Sequence, residues 1–115
     1  MQDLKVRYKK FAIEIAILIQ KLPKSIVNNA YSNQLIRSSS SPGTNYRAAC
    51  RAKSTADFIN KLKIVDEELD ESIYFLELLE YFNPDLMPDF KLTIKEGNEL
   101  LAITVQSLSI QKQTC

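Results

Sequence analysis

Apolar residues recur at alternating steps of four and three in four separate segments of the chain, the spacing of one face of an α-helix. The first pattern ends before Pro23. The third begins after Ser54, which together with Asp57 resembles a capping box with Asp in place of Glu or Gln, and the fourth follows a linker over residues 83–88. The apolar stripes of the first, third and fourth segments, in that order, are Leu4, Tyr8, Phe11, Ile15, Leu18 and Leu22; Phe58, Leu62, Val65, Leu69, Ser72, Leu76 and Leu79; and Phe90, Ile94, Gly97, Leu101, Thr104 and Leu108.

The second segment keeps this spacing through the stretch SSSSPGT, residues 38–44, which local rules assign to a loop. A proline inside a helix forfeits one backbone hydrogen bond, here to the Ser38 carbonyl, at roughly 3 kcal/mol if nothing compensates. We nevertheless predict one helix from about residue 28 to residue 53, bent at Pro42, with a seam of small residues and with Asn45 facing inward. Its stripe comprises Tyr31, Leu35, Ser38, Pro42, Asn45, Ala49 and Ala52.

Length and composition agree with these patterns. A chain of 115 residues is enough for one domain with one core. Two glycines and four prolines are few, and strong helix formers recur throughout. The sequence therefore predicts a single all-α domain over residues 1–115, an antiparallel up-and-down four-helix bundle with helix 2 kinked near Pro42.

One residue type that is central to enzyme chemistry is missing. The chain has no histidine, the commonest general base and transition-metal ligand. We therefore expect no catalytic residues, no metal and no cofactor. Cys50 and Cys115 lie far apart, which suggests neither a metal site nor a redox pair, and the apolar run 15–19 is too short to cross a bilayer. We expect a cytoplasmic protein with reduced thiols.

A set of residues in the second and third segments resembles a known family. The set comprises QLIRS at 34–38, Ser41, Gly43, NYR at 45–47, DFI at 57–59, Glu68, Glu71 and YFLELL at 74–79. This order is similar to the four-helix-bundle proteins encoded in intervening sequences of bacterial 23S ribosomal RNA genes. Many relatives carry an acid in place of Ala48 and a Trp in place of Phe75. The resemblance implies a left-handed bundle, ring-shaped pentamers and an association with RNA; a distantly similar bundle is the accessory protein of diversity-generating reverse transcriptases.

Four polar residues within the resemblance have two interpretations. Arg37, Asn45, Glu68 and Glu71 form either a small ligand pocket or a buried hydrogen-bond network that fixes the pairing of helices 2 and 3. The network is favoured, because an inward charge needs a partner and no nucleophile or tuned base accompanies the set. Arg37 is accordingly expected within salt-bridge distance of Glu68 or Glu71.

Charge is divided unevenly along the chain. Residues 1–63 contain twelve basic and three acidic residues, a balance of +9, and the remainder contains three basic and eleven acidic residues, a balance of −8. This division suits pairing between helices, pairing between subunits, or a basic face for phosphates. Cations near the end of helix 2 also complement its dipole without any ligand. The candidate nucleic-acid contacts are Tyr46, Arg47, Arg51, Lys53 and Lys61, although ordinary packing explains Tyr46 more simply.

Two functions therefore compete. The first is a non-enzymatic homo-oligomer, expected to be a pentamer, that scaffolds an RNA or protein partner. The alternative is a basic RNA-binding module or a protein like the reverse-transcriptase accessory bundle. Apolar residues outside the main stripes are expected to form the subunit contacts, namely Ile13, Ile17, Ile73, Leu100 and Ile103.

Overall fold

The computed structural model describes residues 3–113 and 115, which form four α-helices and one short 3-10 helix. The helices are α1 (Leu4–Gln20), α2 (Ile26–Cys50), α3 (Thr55–Phe82) and α4 (Met87–Ile110), and the 3-10 helix spans Pro84–Leu86. Each helix packs against two neighbours in the cyclic order α1, α2, α3, α4. The predicted all-α four-helix architecture is confirmed.

Side chains of the preceding residues fix three of the helix starts. Ser54 Oγ accepts a hydrogen bond from Asp57 N at 3.1 Å, which confirms the predicted start of α3. In the same way, Ser25 Oγ accepts a hydrogen bond from a backbone N–H in the first turn of α2, and Asp3 Oδ1 accepts one in the first turn of α1. Helix α4 begins inside the predicted linker, because Pro88 sits in its first turn, where a missing N–H costs no helical bond.

Helix α2 runs without interruption through Pro42, as the spacing predicted. The bend at Pro42 stays a prediction. The helix ends at Cys50, three residues before the predicted end. Its buried face includes Ser38, Ser39 and Pro42, so a neighbouring helix packs against small side chains.

The core lies along the bundle axis, and every residue of the predicted α3 stripe is buried in it. Both glycines mark close approaches between helices. A Cβ on Gly43 would lie 3.3 Å from Tyr8 Cβ, and a Cβ on Gly97 would lie 3.1 Å from Ile73 Cγ1. The largest fully buried side chains are Tyr8, Phe11, Phe58, Phe90, Ile15, Leu35, Leu62, Leu69, Leu76, Leu79, Leu100 and Val65.

Two of the five residues expected at subunit contacts are in the core instead. Ile73 and Leu100 are buried, because α3 and α4 pack two neighbours each and so bury a wider face than one narrow stripe. Ile103 is half-buried. Only Ile13 and Ile17, each 50% exposed on α1, are well placed for an external contact.

The prediction of reduced cysteines with no partner was wrong. Cys50 and Cys115 form a disulfide, with their Cα atoms 5.1 Å apart. Alternate helices of an up-and-down bundle run in the same direction, so α2 and α4 end at the same end of the molecule. After Gln111, in the left-handed conformation, Gln113 Nε2 donates to the carbonyls of Ala49 and Ala52. A separation of 65 residues therefore conceals a short distance in space.

Candidate functional site

A groove of about 790 Å³ lies between α1 and α2. Basic side chains from both helices line the groove, and two hydroxyl residues of α2 lie along it. Mainly small residues form its floor. This volume is in the range of ligand sites in proteins. The lining residues are Lys5, Val6, Tyr8, Lys9, Ala12, Ser40, Gly43, Thr44, Arg47, Ala48 and Arg51.

The local sequence explains why the groove exists. Tyr8 packs closely over Gly43, and its ring lies 5.0 Å from that of Tyr46 between centroids. The small side chains of Ala12 and Ala48 leave the space beside this contact unfilled. Basic residues spaced four apart, two on α1 and two at the C-terminal end of α2, then fall along the groove.

The four basic groups of the groove carry uncompensated charge. Within residues 3–113, none of the four makes an ion pair, namely Lys5, Lys9, Arg47 and Arg51. Several other cations do. These pairs are Arg7 with Glu96 and Glu99, Lys10 with Glu14, Lys21 with Asp89, Arg37 with Glu68 and Glu71, and Lys91 with Glu80.

The predicted nucleic-acid contacts are not brought together as one set. Arg47 and Arg51 line the groove, whereas Lys53 and Lys61 do not. The Tyr46 side chain is packed against Tyr8 and the residue is only 8% exposed, so its ring is not available to stack on a base. Burial raises the pKa of the Tyr46 phenol, as it does for Tyr8.

Sequence reasoning missed the contribution of α1. Lys5 and Lys9 are exposed and one helical turn apart, and both line the groove. Their spacing was a usable signal, since residues i and i+4 share a helix face. The sequence does not say which neighbouring helix that face adjoins, and this decided whether they would join Arg47 and Arg51.

The residues expected to form one polar network divide into two groups. Arg37 Nη1 lies 2.9 Å from Glu68 Oε2, and Arg37 Nη2 also contacts Glu71, so the expected pairing is present. The Arg37 side chain is 56% exposed, which contradicts its burial. Asn45 instead donates to the Ser41 carbonyl within α2 at 3.0 Å. The set is a surface ion pair and a separate local hydrogen bond.

The buried polar contacts between helices lie elsewhere. Ser72 Oγ donates to Ser38 Oγ at 3.1 Å across the α2–α3 contact, and Tyr8 and Thr104 hydroxyls lie 3.0 Å apart across the α1–α4 contact. Asn28 and Asn83 exchange two further hydrogen bonds. The signal for the first two pairs was already in the stripes, which contain Ser38, Ser72, Tyr8 and Thr104 at core positions.

The described part of the chain shows neither a metal-binding cluster nor a membrane-spanning helix. No cluster of three or more Cys, Asp or Glu side chains there has the arrangement of a metal site. None of the four helices carries an apolar stretch long enough to cross a membrane.

A solved structure and a family model are similar to this chain. A crystal structure at 1.70 Å of a protein of unknown function from the S23 ribosomal protein family of Bacteroides thetaiotaomicron VPI-5482 is 29% identical. It superposes with a TM-score of 0.81 over 92% of this chain and 98% of that chain. No curated protein matches the chain. The model of the 23S rRNA-intervening sequence protein family matches residues 2–105, and the chain belongs to this family.

Proposed function

We propose that the chain is a non-enzymatic subunit that assembles into a closed homo-oligomeric ring and scaffolds an RNA or protein partner. Five subunits is the number that the family resemblance implies. The observation that carries the proposal is a pair of unlike exposed faces on α1 and α3, two helices that do not pack against each other in the bundle.

The first surface, here called the α1 face, is apolar with basic residues beside it. Val6, Ile13 and Ile17 are each about half exposed, and their spacings of seven and four place them on one line along the helix. Lys10 lies on the same line and Lys9 lies beside it. Apolar residues of this size, aligned along one helix, are typical of a surface that another chain covers.

The second surface, here called the α3 face, is acidic and aromatic. Tyr74 and Tyr81 are 57% and 80% exposed and seven residues apart. Three exposed carboxylates accompany them, from Glu67, Asp70 and Glu77. Tyrosine is enriched in protein interfaces because it buries a large ring and keeps a polar group.

The positions of the two faces favour a ring. Since α1 and α3 are diagonal in the bundle, the α1 face and the α3 face point away from each other. Contact between unlike faces is heterologous, and it closes into a ring when the rotation per subunit divides a full turn. A typical interface buries about 800 Å² per partner. Two such contacts would take less than a quarter of the 7029 Å² surface.

Light scattering of the purified chain tests the assembly. Five chains of 13.2 kDa make a ring of about 66 kDa. Ile13→Glu should give a monomer, because it places a carboxylate in the apolar line. Ile26→Glu is the matched control: Ile26 is 88% exposed, lies outside both faces at the start of α2, and its replacement should leave the mass unchanged.

Mixing two variants tests whether the contact joins unlike faces. Ile13→Glu keeps an intact α3 face, and Tyr74→Lys keeps an intact α1 face. Each should be monomeric alone, whereas their mixture should give a dimer, because one complete contact can form. A wild-type monomer at low micromolar concentration and physiological salt would refute the assembly, and a wild-type dimer would exclude five-fold closure.

A further inference from the structure

We propose that the groove between α1 and α2 binds the phosphodiester backbone of single-stranded nucleic acid, with Lys5, Lys9, Arg47 and Arg51 each contacting a phosphate. The groove shares Val6 and Lys9 with the α1 face, and its other lining residues lie outside that face. The inference does not rest on the assembly proposed above, because Lys5, Arg47 and Arg51 are not part of the α1 face.

Charge is the first argument. The groove contains four basic residues and no acidic one among its lining residues. Asp3, at the start of α1, directs its carboxylate to the Lys5 backbone N–H. The Ser40 and Thr44 hydroxyls already donate to carbonyls of α2, so the four cations are the donors that the groove offers to an anion. Like charges held this close favour an anionic ligand.

Shape is the second argument. Lys5 and Lys9 are one turn apart on α1, about 6 Å along the axis, and Arg47 in α2 and Arg51 directly after it have the same spacing in sequence. The groove therefore carries a row of positive charge on each side. A chain with a negative charge on every unit can pair with successive members of such rows. Within the groove, Ala12, Gly43 and Ala48 form a smooth floor that a chain can approach closely.

The lining of the groove disfavours an acidic protein helix. A helix that docks in a groove is held by apolar anchors at helical spacing, and the groove offers few apolar side chains to meet them. A helix lying across its rim would meet Val6 and little other apolar surface. Because Tyr46 and Tyr8 are buried, no exposed ring in the groove can stack on a base, so we expect binding without sequence preference.

Fluorescence anisotropy with a labelled oligouridylate, titrated at several salt concentrations, tests the site. Four phosphate contacts on a single strand predict a slope of log K against log salt of about −2.8, at about 0.7 per contact. Affinity should then fall by about 50-fold between 50 mM and 200 mM salt. The variant Arg47→Gln/Arg51→Gln should halve the slope to about −1.4. An oligothymidylate should give the same salt slope as the oligouridylate, because the proposed contacts are to the phosphates and not to the bases.

The control variant is Lys53→Gln/Lys61→Gln, which removes the same charge outside the groove. It should leave the slope unchanged. All four positions of these variants are exposed or partly exposed, and circular dichroism and light scattering of each sample establish that folding and subunit number are retained. Equal slopes for the two variants would overturn the site, as would absence of binding by the wild-type chain at low salt. Stronger binding of polyglutamate than of oligouridylate would assign the groove to an acidic protein instead.

Discussion

The contacts of α2 with α3 and of α1 with α4 hold the bundle together in different ways. Helices α2 and α3 make the most extensive contact, through small residues and a buried hydrogen bond between Ser38 and Ser72. Helices α1 and α4 make the least extensive contact of neighbouring helices. At the α1–α4 contact Arg7 forms a bidentate salt bridge with Glu96, with Nη2–Oε1 at 2.6 Å and Nε–Oε2 at 3.1 Å.

This difference shows that close packing and long polar side chains are alternative ways of joining helices. Small residues let backbones approach, so stability at the α2–α3 contact depends on shape. Where helices lie further apart, side chains must reach across, so stability at the α1–α4 contact depends more on charge and hydrogen bonds. Substitutions in the two contacts should therefore respond differently to size and to salt.

Reduction of the disulfide should have the largest effect, because it acts on the whole chain and not on one contact. The bridge closes a loop of 65 residues, and its loss should lower the free energy of unfolding by about 4 kcal/mol in the chain-entropy account. Urea denaturation with and without reductant measures this loss. Cys115→Ser should match the reduced wild type and should not respond to reductant. Free thiol in the unreduced wild type would contradict the bridge.

Ser38→Leu should be the most damaging change in the α2–α3 contact. Ser38 is fully buried, so the larger side chain must push the two helices apart and break the hydrogen bond to Ser72, at a cost of about 3 kcal/mol. Ser38→Ala provides the comparison, with an expected loss of about 1 kcal/mol. Similar losses for the two variants would show that the contact is not limited by size.

Arg7→Ala should weaken the α1–α4 contact by about 1.5 kcal/mol, since both charged partners are only about a quarter exposed and the pairing is two-pronged. The Glu96 carboxylate raises the pKa of Arg7 through the same hydrogen bonds. Urea denaturation of wild type and variant at low and high salt gives the measurement. The difference between them should shrink as salt increases, and a salt-independent difference would point to lost packing instead.

Tyr8→Phe should cost about 1 kcal/mol near neutral pH, because it removes the hydrogen bond to Thr104. Burial raises the pKa of Tyr8 above its ordinary value of about 10. Above that pH the unfolded chain loses a proton that the folded chain keeps, so stability is full below about pH 10 and falls as pH rises towards the folded pKa. Urea midpoints across this range should show a smaller alkaline loss in Tyr8→Phe than in wild type.

Arg37→Ala should have the smallest effect, about 0.5 kcal/mol, because the side chain is more than half exposed. Removing one partner of a buried ion pair would instead cost about 3 kcal/mol or more. Comparison with Arg7→Ala under the same conditions sharpens the contrast between the two contacts. A loss of about 3 kcal/mol for Arg37 would show that the α2–α3 contact also depends on charge.

Much of the fold could be predicted because helix periodicity is a local property. The spacing of apolar residues is enough to place four helices, to carry α2 through Pro42, and to identify the α3 core residues from Phe58 to Leu79. Ser54 marks the start of α3 because its hydroxyl bonds to a backbone group only three residues away.

The sites could be predicted only in part, because they depend on which helix faces which. Arg37 was correctly paired with Glu68 but wrongly placed in the interior, since a stripe gives the direction of a side chain and not the depth of its surroundings. Arg47 was identified as a basic contact, whereas its partner Lys5, more than forty residues away in sequence, was not.

The sequence by itself determined the helices, the inward stripes and the division of charge, because each depends on residues within a few turns. Only the tertiary structure decided that Lys5 and Arg47 share a groove, that Tyr46 is buried, and that Cys50 meets Cys115. These three outcomes depend on the order of helices around the bundle and on which ends coincide. That order comes from packing between distant segments, which local spacing does not encode.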